Sequence, residues 1–180
     1  EAATNQYNKI TNLADPTDPN DAANLKSVLD KIVGAAAVIH GPSKTPTTSY
    51  ANLELGDFQT EYDPDGVISV NTTDHTVTLA SGVWRMDGHL TVKATSDASA
   101  TGKYKVLQDG GSATVYVPET TIDFDPGGSG DQEYLTAHFS AVINASSSAI
   151  TLKVQVKESS SGSEVTFESA GSCITFQRIA

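Results

Sequence analysis

The chain has 180 residues and a formal net charge of -11, from 22 acidic and 11 basic side chains. That length supports one well-buried domain with an extension, and the charge argues against holding a polyanion by counterion release, so neither nucleic acid nor an anionic membrane surface is an expected partner. The apolar run from Ile32 to Ile39 is far short of the roughly 20 residues a spanning helix needs, the single Cys173 has no partner for an intrachain disulfide, and a first residue Glu1 rather than Met points to further chain upstream.

Residues 1 to 19 are polar, and Asp15-Pro16 and Asp18-Pro19 read as extended or turn dipeptides, because proline disfavours the helical region in the residue before it. A helix is expected to follow, with Asp18 as N-cap, Pro19 at the first helical position and Asp21 complementing the helix dipole. Leu25, Val28, Leu29, Ile32 and Val33 recur at spacings of three and four and form one apolar stripe. A lone helix of about four turns is marginal in water, so the stripe must pack on copies of itself or on its own domain; periodicity alone leaves both open. Gly34 and Ala35 to Ala37 then read as a helix end or a narrow neck. Gly41-Pro42, Pro46 and the cluster from Ser43 to Ser49 read as linker.

The stretch Ile10-Thr11-Asn12-Leu13-Ala14-Asp15-Pro16, with Asp21-Ala22 and a short heptad-bearing helix behind it, resembles the linker repeat of bacteriophage tail fibres. The resemblance covers roughly residues 9 to 33. It implies a homotrimer, a place on the virion exterior among other fibre or capsid proteins, and a trimeric neck built by Leu25, Val28, Leu29, Ile32 and Val33.

From about residue 50 the apolar period changes from 3.6 to 2. Nine strands are expected: 67 to 70, 76 to 79, 83 to 92, 103 to 107, 113 to 117, 134 to 143, 150 to 156, 164 to 167 and 173 to 179. The alternation is cleanest in Ile150-x-Leu152-x-Val154-x-Val156, Val165-x-Phe167 and Ile174-x-Phe176. Even spacing and turn-rich connections favour an antiparallel sandwich or barrel. Val77-Thr78-Leu79-Ala80-Ser81-Gly82-Val83-Trp84-Arg85-Met86 and the closing Gly171-Ser172-Cys173-Ile174-Thr175-Phe176-Gln177-Arg178-Ile179 resemble segments of complement-globular-head and tumour-necrosis-factor-like jelly rolls. The implied fold is mainly β, an antiparallel jelly-roll sandwich preceded by a short trimerising α-helix. The expected division is linker and neck over 1 to 49 and head over 50 to 180.

Chemistry-bearing residues are sparse. His40, His75, His89 and His138 are scattered singly and read as surface or edge-strand residues. Cys173, in a late apolar run with no Cys or His nearby in sequence, reads as a small buried thiol. Trp84 reads as core or subunit interface. The carboxylate pairs Asp63 with Asp65 and Asp123 with Asp125 are those a glycan-degrading spike would need, but the chain lacks the solenoid repeat of a long polysaccharide groove. Asp123, Asp125 and Asp131 frame a Gly-rich loop whose oxygen donors suit Ca²⁺; its ordinary reading is a solvated acidic loop, and no cofactor is expected.

Lys103, Tyr104, Asp109, Tyr116 and Tyr134 flank the connections at 96 to 102, 109 to 112 and 125 to 132, and aromatics at strand ends suit recognition of a host surface glycan or protein. The expectation is a non-enzymatic, trimeric fibre tip that attaches a virion to its host through loops. A capsid decoration or head fibre is the alternative, and a glycan-degrading spike enzyme the second.

Overall fold

The computed structural model describes residues 35–63, 66–95, 100–110, 113–124, 132–145, 147–159 and 165–180. The expected helix with Leu25, Val28, Leu29, Ile32 and Val33 lies outside the described residues, as do Asp65, Asp125 and Asp131. Every described element is a strand: β1 (Ala36–His40), β2 (Ala51–Asn52), β3 (Asp57–Tyr62), β4 (Ile68–Asn71), β5 (Thr76–Leu79), β6 (Val83–Ala94), β7 (Thr101–Gln108), β8 (Val115–Asp123), β9 (Glu133–Asn144), β10 (Ile150–Glu158) and β11 (Val165–Arg178).

Two antiparallel sheets face each other. The five-stranded sheet runs β3-β1-β11-β6-β9, and the six-stranded sheet runs β4-β5-β10-β7-β8 with β2 also on β10. Pairing is nested: β1 with β11, β5 with β10, β6 with β9 and β7 with β8. Successive pairs fall in alternate sheets. A long hairpin rolled in this way is a jelly roll.

Period-2 alternation sends one set of side chains from each sheet into the space between them. Trp84, Met86, Leu90, Val92, Ile143, Phe167 and Ile174 from one sheet meet Leu79, Val106 and Val156 from the other, all essentially inaccessible. Each such burial stabilises by about 1.5–3 kcal/mol. The Trp84 Nε1–H is satisfied by the Ala80 carbonyl at 3.0 Å, so the ring sits in the core as one of the two expected placements.

Three expectations need correction. The sandwich begins before residue 50: Ala36–His40 is a central strand, paired with β11 on one side and β3 on the other. Residues 43 and 44 bridge to Glu54 and Phe167, so this stretch is not a free linker. The alternation was there, with Ala35, Ala37 and Ile39 buried, but small alanines disguise a strand as a neck. Second, β3 and the two-residue β2 had no expected counterpart. Third, the last two expected strands are one, interrupted by an irregularity between Glu168 and Cys173.

Between the pairs Glu168 with Thr91 and Cys173 with His89, four residues of β11 stand against one of β6, an insertion of three. Gly171 takes φ +77° within it, a conformation L side chains rarely adopt. Buried Ser172 closes it, its hydroxyl donating to the Glu168 carbonyl at 2.6 Å and accepting the Thr91 N–H at 2.9 Å. An odd insertion inverts the alternation of the strand beyond it. Phe167 and Ile174 therefore both face inward, and Cys173 faces out.

Candidate functional site

The inverted alternation has a chemical result on the outer face of the five-stranded sheet. Asp57 is the cross-strand partner of His40, His40 of Cys173, Cys173 of His89, and His89 of His138. One row of directly opposed residues thus crosses all five strands and holds three of the chain's four histidines and its only cysteine. Inward neighbours Ile39, Ile174, Leu90 and Phe139 are buried, so the row faces solvent.

At its centre the Cys173 Sγ lies 3.5 Å from His89 Nδ1. The rings of His89 and His138 stand 6.0 Å apart, tilted by 45°. These three side chains line a shallow depression of about 600 Å³, with Asp87, Ser140 and Thr175 at its sides. Partial burial pushes the Cys173 thiol up, towards the neutral form. Burial also works to raise the Asp87 carboxyl, but hydrogen bonds from Arg85 and Ser140 outweigh it and hold that acid low; Arg85 Nε is 2.6 Å from the carboxylate. Cys173 is therefore not the buried thiol the sequence leads one to expect. Nor are the histidines scattered, because nested pairing joins positions far apart in the chain.

A second cluster occupies the outer face of the six-stranded sheet. Lys103 and Lys157 are directly opposed across β7 and β10, an arrangement that repels unless a carboxylate intervenes. Glu119 intervenes, 3.0 Å from Lys103 and 3.7 Å from Lys157. Its carboxylate also accepts the Tyr50 hydroxyl. Lys105 and Lys157 stand over the Tyr50 ring at 3.7 and 4.5 Å from its centroid. The Tyr50 hydroxyl and then Lys103 hold the Glu119 acid down at about 2, while burial, followed by Glu119 itself, pushes the Tyr50 phenol up. The cluster ties the approach to β2 onto β7, β8 and β10.

The expected recognition residues part company. Lys103 belongs to the Tyr50 cluster. Tyr104 is core, 3% exposed, its hydroxyl donating to the His138 carbonyl at 3.2 Å; it alternates inward between two outward lysines. Asp109 pairs with Lys153 at 2.7 Å. Tyr116 is half-buried, which raises its phenol. Tyr134 is 56% exposed, beneath Lys93 at 5.7 Å. The Asp63 carboxylate caps its own turn, accepting the N–H groups of Val67 at 2.8 Å and Ile68 at 3.2 Å. Asp123 accepts the Thr101 hydroxyl at 3.1 Å.

No protein-family model matches the sequence, and no curated protein matches it. Among solved structures the chain is similar to murine APRIL in crystals at pH 8.0, with 9% identity, 80% of this chain and 96% of that one covered, and a TM-score of 0.49. Murine APRIL at pH 5.0 is similar at 7% identity, 80% and 98% coverage, and a TM-score of 0.47. The jelly-roll assignment rests on the strand order itself.

Proposed function

We propose that the chain is the trimeric head of a bacteriophage fibre that attaches the virion to its host surface, as a binding module and not an enzyme. The observation that carries self-association is β9. It is an edge strand of 12 residues among the described ones. Its outward row, Tyr134, Thr136, His138, Ser140 and Val142, carries no carboxylate, lysine, arginine or proline. Val142 is 65% exposed and Tyr134 56%. Soluble proteins normally blunt a long edge with charge or proline, so an unblunted one calls for a cover, and another copy of the head is the cover offered here. The number three comes from the tail-fibre resemblance of residues 9 to 33.

Strand directions support the attachment half of the reading. The chain enters the head at Ala35, whose carbonyl accepts the Arg178 N–H at 2.7 Å, so entry and the end of β11 share one pole. The β6–β7, β8–β9 and β10–β11 connections all leave from the opposite pole, as the pairs Ala94 with Glu133, Thr101 with Asp123 and Gly102 with Glu158 place them. On this reading the host meets the head at that opposite pole, at the strand ends Ala94, Thr101, Asp123, Glu133 and Glu158, with Tyr134 beside them. Asp109 and Tyr116 lie towards the entry pole and leave the recognition set. Shallow contacts repeated on three heads gain strength by avidity without a deep pocket.

Light scattering on the purified chain tests the reading: three chains per particle is the expected mass, and a monomer at micromolar concentration overturns it. The same sample should block virion adsorption to host cells; undiminished adsorption at saturating head would remove the attachment role.

A further inference from the structure

The row across the five-stranded sheet sets the cysteine and three of the four histidines on one solvent-facing line. Neighbouring strands lie about 4.7–4.9 Å apart, and the order of donors along the row matters. The short thiol of Cys173 stands between two longer imidazoles, His40 on one side and His89 on the other. The His89 ring is already in contact with Sγ, and His40 flanks Cys173 on the neighbouring strand. Around a tetrahedral zinc with bonds of about 2.3 Å to sulfur and 2.0–2.1 Å to nitrogen, ligand S and N atoms stand about 3.5 Å apart. The observed Sγ to Nδ1 separation is 3.5 Å.

We propose that His40, Cys173 and His89 bind a soft divalent cation of the Zn²⁺ class. No three His, Cys, Asp or Glu side chains among the described residues already converge as a metal-holding group. Closure needs rotation of His40, which is exposed, and no change of strand register. Asp57, next in the row beyond His40, is placed to orient that imidazole through its other ring nitrogen, as outer-shell carboxylates do for metal-bound histidines. Water takes the fourth position. Binding displaces the thiol proton to solvent, so affinity rises with pH. The three-residue insertion in β11 makes the site, because without it Ala170 would stand opposite His89.

The test is a Co²⁺ titration of the whole chain under reducing conditions, with Zn²⁺ as competitor. One Co²⁺ per chain is expected, with a thiolate-to-cobalt charge-transfer band that Zn²⁺ abolishes. Cys173→Ser should remove the band, and His40→Ala and His89→Ala should each weaken binding at least tenfold. All three positions face outward, and circular dichroism checks that the variants fold. Absence of the band at millimolar Co²⁺, or a band unchanged in both imidazole variants, overturns the site. A tenfold loss in His138→Ala with none in His40→Ala also overturns it, by moving the donors to the other side of Cys173. Stoichiometry is counted per chain, so the result is independent of whether the head is a trimer.

Discussion

Glu119 is an exposed carboxylate whose pKa is lowered to about 2 by the Tyr50 hydroxyl, Lys103 and Lys157. An unfolded glutamate titrates near 4.3. Because the folded value lies below that, the group's contribution is fully present above about pH 4.3 and is lost as pH falls through about 2. Glu119→Gln should therefore lower stability by a constant amount from pH 5 to 7, and the difference from wild type should shrink as melts are taken from pH 4.5 towards pH 2. A difference that grows on acidification would contradict the assignment. The sequence shows this cluster only in part. Lys103 and Lys105 alternate visibly, but Tyr50 lies ahead of the first expected strand and Glu119 beyond the end of another. Cys173 is the opposite case: the clean pair Ile174 and Phe176 already implies that Cys173 faces the other side.

Within single elements, β6 carries the clearest packing constraint. Gly88 sits opposite Phe139, and a Cβ there would lie 2.2 Å from the Phe139 ring. The ring fills the place a side chain would take, so Gly88→Ala should cost about 1–3 kcal/mol through overpacking, read as a lowered urea midpoint at unchanged slope. Gly88→Ala combined with Phe139→Leu should recover part of that loss; no recovery would mean that the glycine is needed for another reason. Most strands were legible because Ile, Val, Leu and Phe mark the inward positions of β4 to β7, β10 and β11. β1 was not, since Ala35 and Ala37 are apolar without being bulky, and a small-residue run reads equally as a helix end. The β11 insertion was read as a turn because glycine and serine signal both, and only the partner strand shows which one is present.

For the whole molecule, the proposed self-association makes separate predictions for the β9 edge and for the apolar stripe expected from the sequence at Leu25 to Val33. Val142→Asp places charge on the exposed edge of β9 and should shift the particle towards monomer while leaving the far-ultraviolet spectrum unchanged, because the side chain is outside the core. Leu25→Asp with Ile32→Asp removes the apolar stripe instead and should lower the temperature at which the oligomer dissociates more than that at which the head unfolds. If sedimentation shows an unchanged trimer in both variants, neither surface holds the copies together. The jelly roll was legible as a class, from evenly spaced alternating runs; the row of donors was not, because residues 40, 89, 138 and 173 become neighbours only through exact register. β1 adds a mechanical consequence. In the fibre role proposed above, tension would enter the head at Ala35 and be opposed at the other pole. The load then runs along β1, which is bonded to β11 on one side and β3 on the other. Strand hydrogen bonds lie perpendicular to that pull, so the ladders resist in shear, all rungs together, instead of peeling open one pair at a time.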